Sequence, residues 1–325
     1  MQIPGLMLFG NLAPGSVEAV VTYAQMAEAR GFRKVLVSEV GSDALALAQQ
    51  LASATARIQV GTCITNIYLR PPLLAALHAI TIDRFAPGRL LLGVGTSNLT
   101  LNQAYGLAME KPAAMLRHYL TTVTRIFRGE HEGLQRLGAA GRAVPRAAHQ
   151  IPVYVGGVAP QSLAVTGELA DGSFVTQCAP QGLPEIKEGL AKGAQRAGRA
   201  LADISIVPLV HCCVCSDRAV ALRSVRRVLA SYGQNPLYNR FFARQGFAQE
   251  AAQIAAAAAR GDKAAAEAAV SEDMAQQVAA MGTAQECQQK VEEFEQAGAA
   301  SVILWPTAID GDYDRGVRAV LDAFV

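Results

Sequence analysis

The chain has 325 residues, 51% of them hydrophobic and 17% charged, and its 29 basic and 27 acidic residues give a net charge of +2. This composition predicts a large buried core, and it excludes an extensively disordered chain and a protein that binds nucleic acid through a basic surface. We find neither a basic segment before the first apolar run nor an apolar run long enough to span a bilayer, so we expect a cytoplasmic protein without a membrane segment.

Short aliphatic and β-branched runs alternate with amphipathic, alanine-rich stretches from the start of the chain. This alternation predicts strands that are each followed by a helix. In the first half of the chain, strands are predicted at 3–9, 34–38, 57–64 and 89–94. Helices are predicted at 16–30, 43–55, 72–85 and 113–128, with a connection at 95–112. The first helix has Ser16 as its predicted N-cap.

The same rhythm continues through the second half of the chain, with one interruption. Strands are predicted at 151–155, 172–176, 204–214 and 301–305. Helices are predicted at 161–170, 184–197, 219–231, 284–297 and 312–324. A polar, glycine-rich loop is predicted at 129–150, and an aromatic segment followed by alanine-rich helical sequence interrupts the rhythm at 232–282.

Eight strands, each followed by a helix, predict an α/β fold of the (β/α)8 TIM-barrel type. An open, doubly wound sheet is the alternative, but the count of eight and the lack of a break in composition favour a closed barrel. We therefore expect a single TIM-barrel domain over residues 1–325, with a helical insertion at about 232–282 between strands seven and eight.

In such a barrel, the active site lies at the C-terminal ends of the strands. The residues at those ends are mostly small or hydroxyl-bearing, and Glu39 is the only acid at the end of one of the first six strands. They include no set of metal ligands, no nucleophile elbow, no phosphate loop and no lysine for a Schiff base. A pocket of this kind suits a flat cofactor with polar edges that supplies its own reactivity.

Three of the six cysteines lie close together in the run from His211 to Cys215. A metal site is one interpretation of this run. On a strand, however, successive side chains point to opposite faces, so Cys212 would face away from His211 and Cys213. We therefore predict buried apolar cysteines here and no metal site.

The stretch VYVGGVAPQSLAVTGELADG at 153–172 ends a predicted strand in two glycines and then begins a helix at a proline. Glycines let a ligand approach the backbone closely, and a helix N-terminus attracts an anion such as a phosphate. An ordinary strand-to-helix turn explains the same residues equally well.

Five stretches, taken in chain order, resemble the luciferase-like flavin- and deazaflavin-dependent oxidoreductases. They are GTCITNIYLRPP at 61–72, TIDRFAPGRLLLGVGTSN at 81–98, the YG and EKPAAMLR segments within 105–117, IPVYVGGVAPQSLAVTGELADG at 151–172 and GTAQECQQKVEEFEQAGAASVILWP at 282–306. Within this family, the chain is most similar to the branch that includes methylenetetrahydromethanopterin reductase and other F420-dependent enzymes.

The resemblance implies that the ring of F420, or alternatively of FMN, lies at the C-terminal face of the barrel. It also implies a non-prolyl cis peptide between Cys63 and Ile64, at the back of the ring. The cofactor-binding residues that it implies are Ser38, Thr62, Cys63, Ile64, Thr65, Asn66, Gly95, Thr96, Ser97, Asn98, Gly156, Gly157, Val158, Ala159, Thr176 and Gln177. The backbone amides of Gly156 to Ala159, with Thr176 and Gln177, match the region that holds the cofactor tail and phosphate. For that phosphate, Lys187 and Arg70 are candidates by location only.

Some F420-dependent relatives carry an Asp-His pair after strand two, where this chain has Ser38-Glu39-Val40. Glu39 is the candidate catalytic residue, either as an acid–base or as a hydrogen-bond partner of a ring nitrogen. The candidate substrate contacts are Phe9, Tyr68, Tyr238 and Trp305, although a packing role at the barrel rim suits Trp305 equally well. The aromatic segment of the insertion, which includes Tyr232, Phe241 and Phe242, is either a lid over the substrate or an anchor for the insertion.

The resemblance implies an oxidoreductase that transfers a hydride between reduced F420 and a small organic substrate. The alternative is a two-component monooxygenase that uses reduced FMN from a flavin reductase partner. A third hypothesis, motivated by the missing histidine, is a non-catalytic family member, either a cofactor-binding or other ligand-binding protein or a dimer scaffold, in which the fold survives without turnover. The family also implies a homodimer.

Overall fold

The computed structural model describes residues 2–9 and 17–324. Within them, the strands are β1 Gly5–Leu8, β2 Lys34–Val37, β3 Gln59–Thr62, β4 Thr65–Asn66, β5 Leu90–Gly95, β6 Val153–Gly156, β7 Gly172–Thr176, β8 Ser205–Val214, β9 Ala280–Gly282 and β10 Ile303–Pro306. The predicted N-cap Ser16 and the loop residues Gly10 and Asn11 lie outside the described residues.

The strands form a closed parallel barrel. Its order is β1, β2, β3, β5, β6, β7, β8 and β10, and the barrel closes because β10 pairs with both β8 and β1. The short strand β4 adds to β5, and β9 adds to β8 beyond the barrel. The predicted (β/α)8 TIM barrel is therefore confirmed.

The helices cover the outside of the barrel. They are α1 Val17–Ala29, α2 Ala44–Ala54, α3 Pro72–Phe85, α4 Leu99–Ala104, α5 Pro112–Phe127, α6 Glu132–Ala139, α7 Pro160–Leu169, α8 Leu183–Arg196, α9 Arg218–Gly233, α10 Pro236–Arg244, α11 Ala248–Ala259, α12 Lys263–Ala268, α13 Glu272–Val278, α14 Ala284–Gln296 and α15 Tyr313–Ala323. Within the described residues, none of these helices is both long enough and apolar enough to cross a membrane.

Two short helices occupy segments that the sequence pattern assigned to connections. Helix α4 begins where the Asn98 side chain accepts a hydrogen bond from the N–H of Leu101 at 2.9 Å, which is an ordinary N-cap. Helix α6 lies in the predicted loop 129–150, and it forms because Leu134 is buried while its polar residues face solvent. The sequence prediction of these two segments as connections without a helix was wrong, because their polar residues and glycines leave too few apolar positions for a helical pattern to be recognised.

Alternate side chains of the strands divide the apolar core into two layers. Met7, Leu36 and Phe174 belong to the cluster inside the barrel, whereas their neighbours in sequence pack outward against the helices. Glycines allow two of the outer helices to touch, since a Cβ on Gly193 of α8 would lie 1.8 Å from a backbone oxygen of α7.

Helices α10 to α13 form the insertion predicted between the last two barrel strands. Phe242, Phe247 and Met274 of this insertion are buried in a separate apolar cluster that also contains Cys213 of β8. Phe241 and Phe242 are fully buried, so both belong to the anchor that fixes the insertion to the barrel.

Candidate active site

The centre of the candidate site is the end of strand β3. The peptide bond between Cys63 and Ile64 is cis, as the resemblance implied. After this bond the chain rejoins the sheet as β4, with Thr65 opposite Val94 of β5. The Cys63 side chain is buried, and burial raises the pKa of its thiol, so Cys63 is not a nucleophile at neutral pH.

Ile64 lies against two glycines at the ends of neighbouring strands. A Cβ on Gly156 of β6 would lie 2.7 Å from Cγ2 of Ile64, and a Cβ on Gly95 of β5 would lie 3.1 Å from its Cγ1. Gly156 therefore has no room for a side chain while Ile64 keeps this place, whereas a Cβ on Gly95 would fit only if its neighbours shifted slightly. The half-buried Ile64 and the two glycines form a cradle, which we call the Ile64 cradle.

A hydrogen-bond network holds the residues that flank the cradle. The Thr62 hydroxyl donates to the carbonyl of Gly93 at 2.7 Å and accepts from its N–H at 3.0 Å. The Asn66 carboxamide donates to Asn102 Oδ1 at 2.7 Å and accepts from the N–H of Tyr68 at 3.0 Å. Thr62 and Asn66 are thus buried and already engaged, and they support the cradle from behind.

The Glu39 carboxylate is buried behind the same segment. Its Oε2 accepts from the N–H of Asn66 at 2.6 Å, and its Oε1 lies 3.4 Å from Nη2 of Arg70. Burial raises the pKa of Glu39, while the Asn66 N–H and the Arg70 guanidinium oppose that rise. Arg70 also pairs with Asp43, the N-cap of α2. In this arrangement Glu39 positions the chain after the cis bond, and its expected catalytic role stays a prediction.

The remaining sequence-predicted residues lie around the cradle at the ends of strands β2, β5 and β6. Ser38 is buried after β2, Thr65 is buried and its hydroxyl has no hydrogen-bond partner among the described residues, and Thr96 to Asn98 are half-buried after β5. After β6, Gly157, Val158 and Ala159 lead into helix α7, whose N-cap Ala159 offers no capping side chain. This edge of the site therefore presents hydroxyl groups and free helical N–H groups.

The loop after β7 is fastened to the insertion. Gln177 has a left-handed backbone, with φ of 59°, and its carbonyl accepts from Nε2 of Gln245 at 3.0 Å. Oε1 of Gln245 accepts from the N–H of Ala179 at 2.7 Å. Gln245, which follows helix α10, thus holds the loop that carries Thr176 and Gln177. The sequence offers no local signal for this role, because it depends on where the insertion folds.

Five rings gather at the mouth of the barrel, and we call them the aromatic wall: Phe9, Trp305, His211, Tyr232 and Tyr238. The Phe9 and Trp305 rings stack with centroids 5.0 Å apart, and His211 lies 4.2 Å from Trp305. Tyr232 lies 5.8 Å from His211 and 5.1 Å from Tyr238.

The aromatic wall brings together three of the four predicted substrate contacts. Tyr68 lies apart from them, because its hydroxyl donates to the carbonyl of Glu110 at 2.9 Å. Tyr232 and Tyr238 contribute to the wall while their neighbours Phe241 and Phe242 anchor the insertion. The anchoring role is therefore observed for Phe241 and Phe242, and the role of the segment as a lid over the substrate stays a prediction.

Sequence reasoning missed His211 as a residue of the barrel mouth. Its side chain is 2% exposed, and Nε2 of Gln177 donates to its Nε2 at 2.9 Å. Burial lowers the pKa of His211 to about 3, so the ring is neutral at physiological pH. Strand alternation would have placed it, since Val207 and Leu209, four and two residues earlier, face the barrel interior.

The cysteines around His211 pack as apolar residues. Cys212 and Cys213 are fully buried in two different apolar clusters. Across the described residues, no group of three or more histidine, cysteine or acidic side chains is arranged to hold a metal ion. Lys187, a candidate for the cofactor phosphate, donates to the carbonyl of Ala297 at 2.7 Å instead.

Comparisons with known proteins agree with this geometry. The family model described as luciferase-like monooxygenase matches residues 4–301. A Mycobacterium tuberculosis protein, provisionally named as a coenzyme F420-dependent oxidoreductase, is 26% identical over 321 residues, which cover 91% of this chain and 92% of that protein. The 5,10-methylenetetrahydromethanopterin reductase of Methanolobus tindarius is 24% identical over 293 residues, or 87% of this chain and 89% of the reductase.

A solved structure shows the same fold. The coenzyme F420-dependent tetrahydromethanopterin reductase of Methanopyrus kandleri superposes with a TM-score of 0.79 at 23% identity, covering 99% of this chain and 98% of that one.

Proposed function

The chain belongs to the luciferase-like monooxygenase family, and from that premise we propose that it is an F420-dependent oxidoreductase that transfers a hydride between the deazaflavin and a small organic substrate. The observation that carries this proposal is the Ile64 cradle, which lies at the C-terminal face of the barrel beside the aromatic wall. The F420-dependent relatives named above support the choice of cofactor.

The residues present fit a flat cofactor with an anionic tail. A side chain at Gly156 would collide with Ile64 and one at Gly95 would crowd it, so the cradle keeps a smooth apolar face against which a ring can lie. Helix α7 begins without a capping side chain, and the N–H groups of its first turn are free to hold an anion. Arg70 is paired with Glu39 and Asp43, so backbone groups are the better candidates for the phosphate.

Each side chain then has a definable task. When bound, F420 supplies the hydride chemistry. The Ile64 cradle supports the ring, and Thr62, Asn66 and Glu39 hold the cradle in place. The aromatic wall orients the substrate and excludes water from it.

The titratable groups of the candidate site differ in whether they can donate a proton near pH 7. His211 is neutral and cannot act as an acid near pH 7, because burial lowers its pKa to about 3. Burial raises the pKa of Tyr238 to about 12, so its hydroxyl keeps a proton at neutral pH. Glu39 also stays a proposed acid–base, although both of its oxygens have partners.

The decisive experiment is a titration of the cofactor-free protein with F420 and, separately, with FMN. We expect saturable binding of F420 with much weaker binding of FMN. Tight binding of FMN without binding of F420 would refute the F420 assignment. Binding of neither cofactor would instead favour a family member that has lost turnover.

A monooxygenase that uses reduced FMN is the second candidate, because the matched family model carries that description. It would need a flavin reductase as partner. Oxygen uptake tests it: the protein is mixed with FMN, a flavin reductase and a nicotinamide donor, and uptake is compared with the same mixture lacking the protein. Uptake that depends on this chain would favour the monooxygenase.

We also propose that the chain folds as a single domain, acts in the cytoplasm and associates as a homodimer. Leu69, Leu73 and Leu74 support the dimer, since they are 41%, 38% and 52% exposed around the start of helix α3. Light scattering after size-exclusion chromatography tests the dimer, a single cooperative unfolding transition tests the domain, and cell fractionation tests the location. A monomeric mass in solution would refute the dimer.

A further inference from the structure

We infer that the substrate of this enzyme is an uncharged, flat molecule that carries an amide or a similar carbonyl group, and that it binds against the aromatic wall with this group at Gln177 and His211. This inference rests on the proposed function, and it names the class of substrate for the same site.

The shape of the substrate follows from the aromatic wall. Phe9 and Trp305 are stacked with only 27° between their planes, and Tyr232 and Tyr238 meet edge to face at 78°. Trp305, Tyr232 and Tyr238 are only partly buried, so their ring surfaces are open to a ligand. Aromatic faces and edges favour another flat, conjugated molecule over a saturated one.

The absence of charge on the substrate follows from the side chains after the strand ends. Glu39 and Arg70 pair with each other, and Asp217 caps helix α9. Asp310 lies 3.6 Å from Arg223 and 3.8 Å from Arg315. These charged side chains therefore have protein partners. Glu110 and Lys111, in the connection after β5, have no ion-pair partner among the described residues, but both are exposed, and the Glu110 carbonyl accepts a hydrogen bond from Tyr68, which lies apart from the aromatic wall. The segment 10–16, which reads GNLAPGS, contains no charged residue in the sequence.

Neither arginine of helix α10, which carries Tyr238, supplies a cation to the aromatic wall. Arg244 pairs with Glu185 and lies over the ring of Phe241. Arg240 is exposed on α10 two residues after Tyr238, which places it on the opposite side of that helix. A phosphate or carboxylate on the substrate would thus be buried at the mouth without a counter-charge, which is strongly unfavourable.

The polar group of the substrate follows from Gln177 and His211. Because Gln177 donates to Nε2 of the ring, the proton of the neutral imidazole lies on Nδ1. Nδ1 of His211 and Oε1 of Gln177 have no hydrogen-bond partner among the described residues, although both side chains are at least 98% buried. The pair therefore offers one donor and one acceptor, and an amide has the complementary acceptor and donor.

The test uses the intrinsic fluorescence of Trp305, which is the only tryptophan of the chain. The full-length protein, with and without bound cofactor, is titrated with three matched probes. Benzamide is flat and neutral, benzoate is flat and anionic, and cyclohexanecarboxamide is neutral but not flat. We expect a saturable change of fluorescence with benzamide, at an affinity about tenfold higher than for either of the other two.

Each other outcome overturns part of the inference. Benzoate binding as tightly as benzamide would refute the neutral substrate, and cyclohexanecarboxamide binding as tightly would refute the flat one. No response to any probe would refute the site at the aromatic wall. Because the cofactor-free protein is also titrated, these outcomes are distinguishable from a failure to bind F420.

A variant tests the polar group separately. His211→Phe keeps a ring in the wall but removes the hydrogen bonds of the imidazole. We expect the affinity for benzamide to fall about tenfold while the affinity for toluene, which lacks the amide, is unchanged. Equal losses for both probes would indicate a packing role only. If this variant does not fold, the affinities of the unmodified protein for benzamide and for toluene are compared instead. Equal affinities for the two probes would refute the polar contact.

Discussion

Replacing Gly156 by alanine is the sharpest test of the Ile64 cradle. The new Cβ would lie 2.7 Å from Cγ2 of Ile64, whereas the next nearest atoms of that side chain are 3.9 Å away. A single methyl group therefore creates the collision, and Ile64 must move out of the cradle to relieve it. Overpacking of this kind costs about 1–3 kcal/mol.

We expect Gly156→Ala to lower the free energy of unfolding by about 1–3 kcal/mol and to weaken the binding of F420 as well, because a displaced Ile64 would disturb the face against which the ring is proposed to lie. Urea denaturation measures the first effect, and a cofactor titration measures the second. Gly133→Ala in helix α6 is the matched control, since its Cβ would meet only the His131 ring at 3.4 Å, an ordinary contact.

Ile64→Leu tests whether the Cγ2 methyl of Ile64 causes this loss of stability. Leucine is not branched at Cβ, so Ile64→Leu removes the Cγ2 methyl that collides while it keeps the volume of the side chain. We expect Ile64→Leu to restore most of the stability that Gly156→Ala loses, as a coupling in a double-mutant cycle. If the two effects simply add, or if Gly156→Ala behaves like Gly133→Ala, the cradle does not have the geometry described above.

Three further predictions concern the groups that support the cradle and the loop after β7. Thr62→Val removes the hydroxyl that bridges both backbone groups of Gly93 and should lower the free energy of unfolding by about 1–3 kcal/mol. Thr65→Val is the control, because it removes a hydroxyl without a described partner, and it should be neutral or stabilising. Equal losses of stability for the two variants in urea denaturation would contradict this prediction. Because burial raises the pKa of Glu39 above its ordinary 4.5, the folded state retains a proton that the unfolded state loses, so stability should fall as the pH rises through the window just above 4.5. Glu39→Gln should flatten that slope in urea denaturations across this range, and an unchanged slope would show that other groups cause it. Gln245→Leu leaves the buried N–H of Ala179 without its acceptor and should cost about 1–3 kcal/mol; hydrogen exchange at that amide should quicken, and unchanged protection would contradict the role of Gln245.

Much of the fold was predictable because strands and helices follow from local patterns. The period of apolar residues places the barrel strands within a few residues of their positions in the structure, and eight such units close a barrel. The helices α4 and α6 escaped prediction because each is shorter than nine residues and has few apolar positions. The site was predictable as far as strand ends define it, and the family resemblance correctly located the cis bond after Cys63.

The sequence by itself therefore determined the barrel and the strand ends from which most candidate site residues are drawn, but not the contributions of His211 and Gln245. Only the tertiary structure decided which of those residues remain available to a ligand. The Thr62 hydroxyl and the Asn66 carboxamide are already hydrogen-bonded to other strands and helices. The rings of Phe9, His211, Tyr232 and Trp305 come from distant parts of the chain and contact one another only in the folded protein. A local sequence pattern predicts which way a side chain faces. The hydrogen bonds and ring contacts of that side chain depend on elements that only folding brings together.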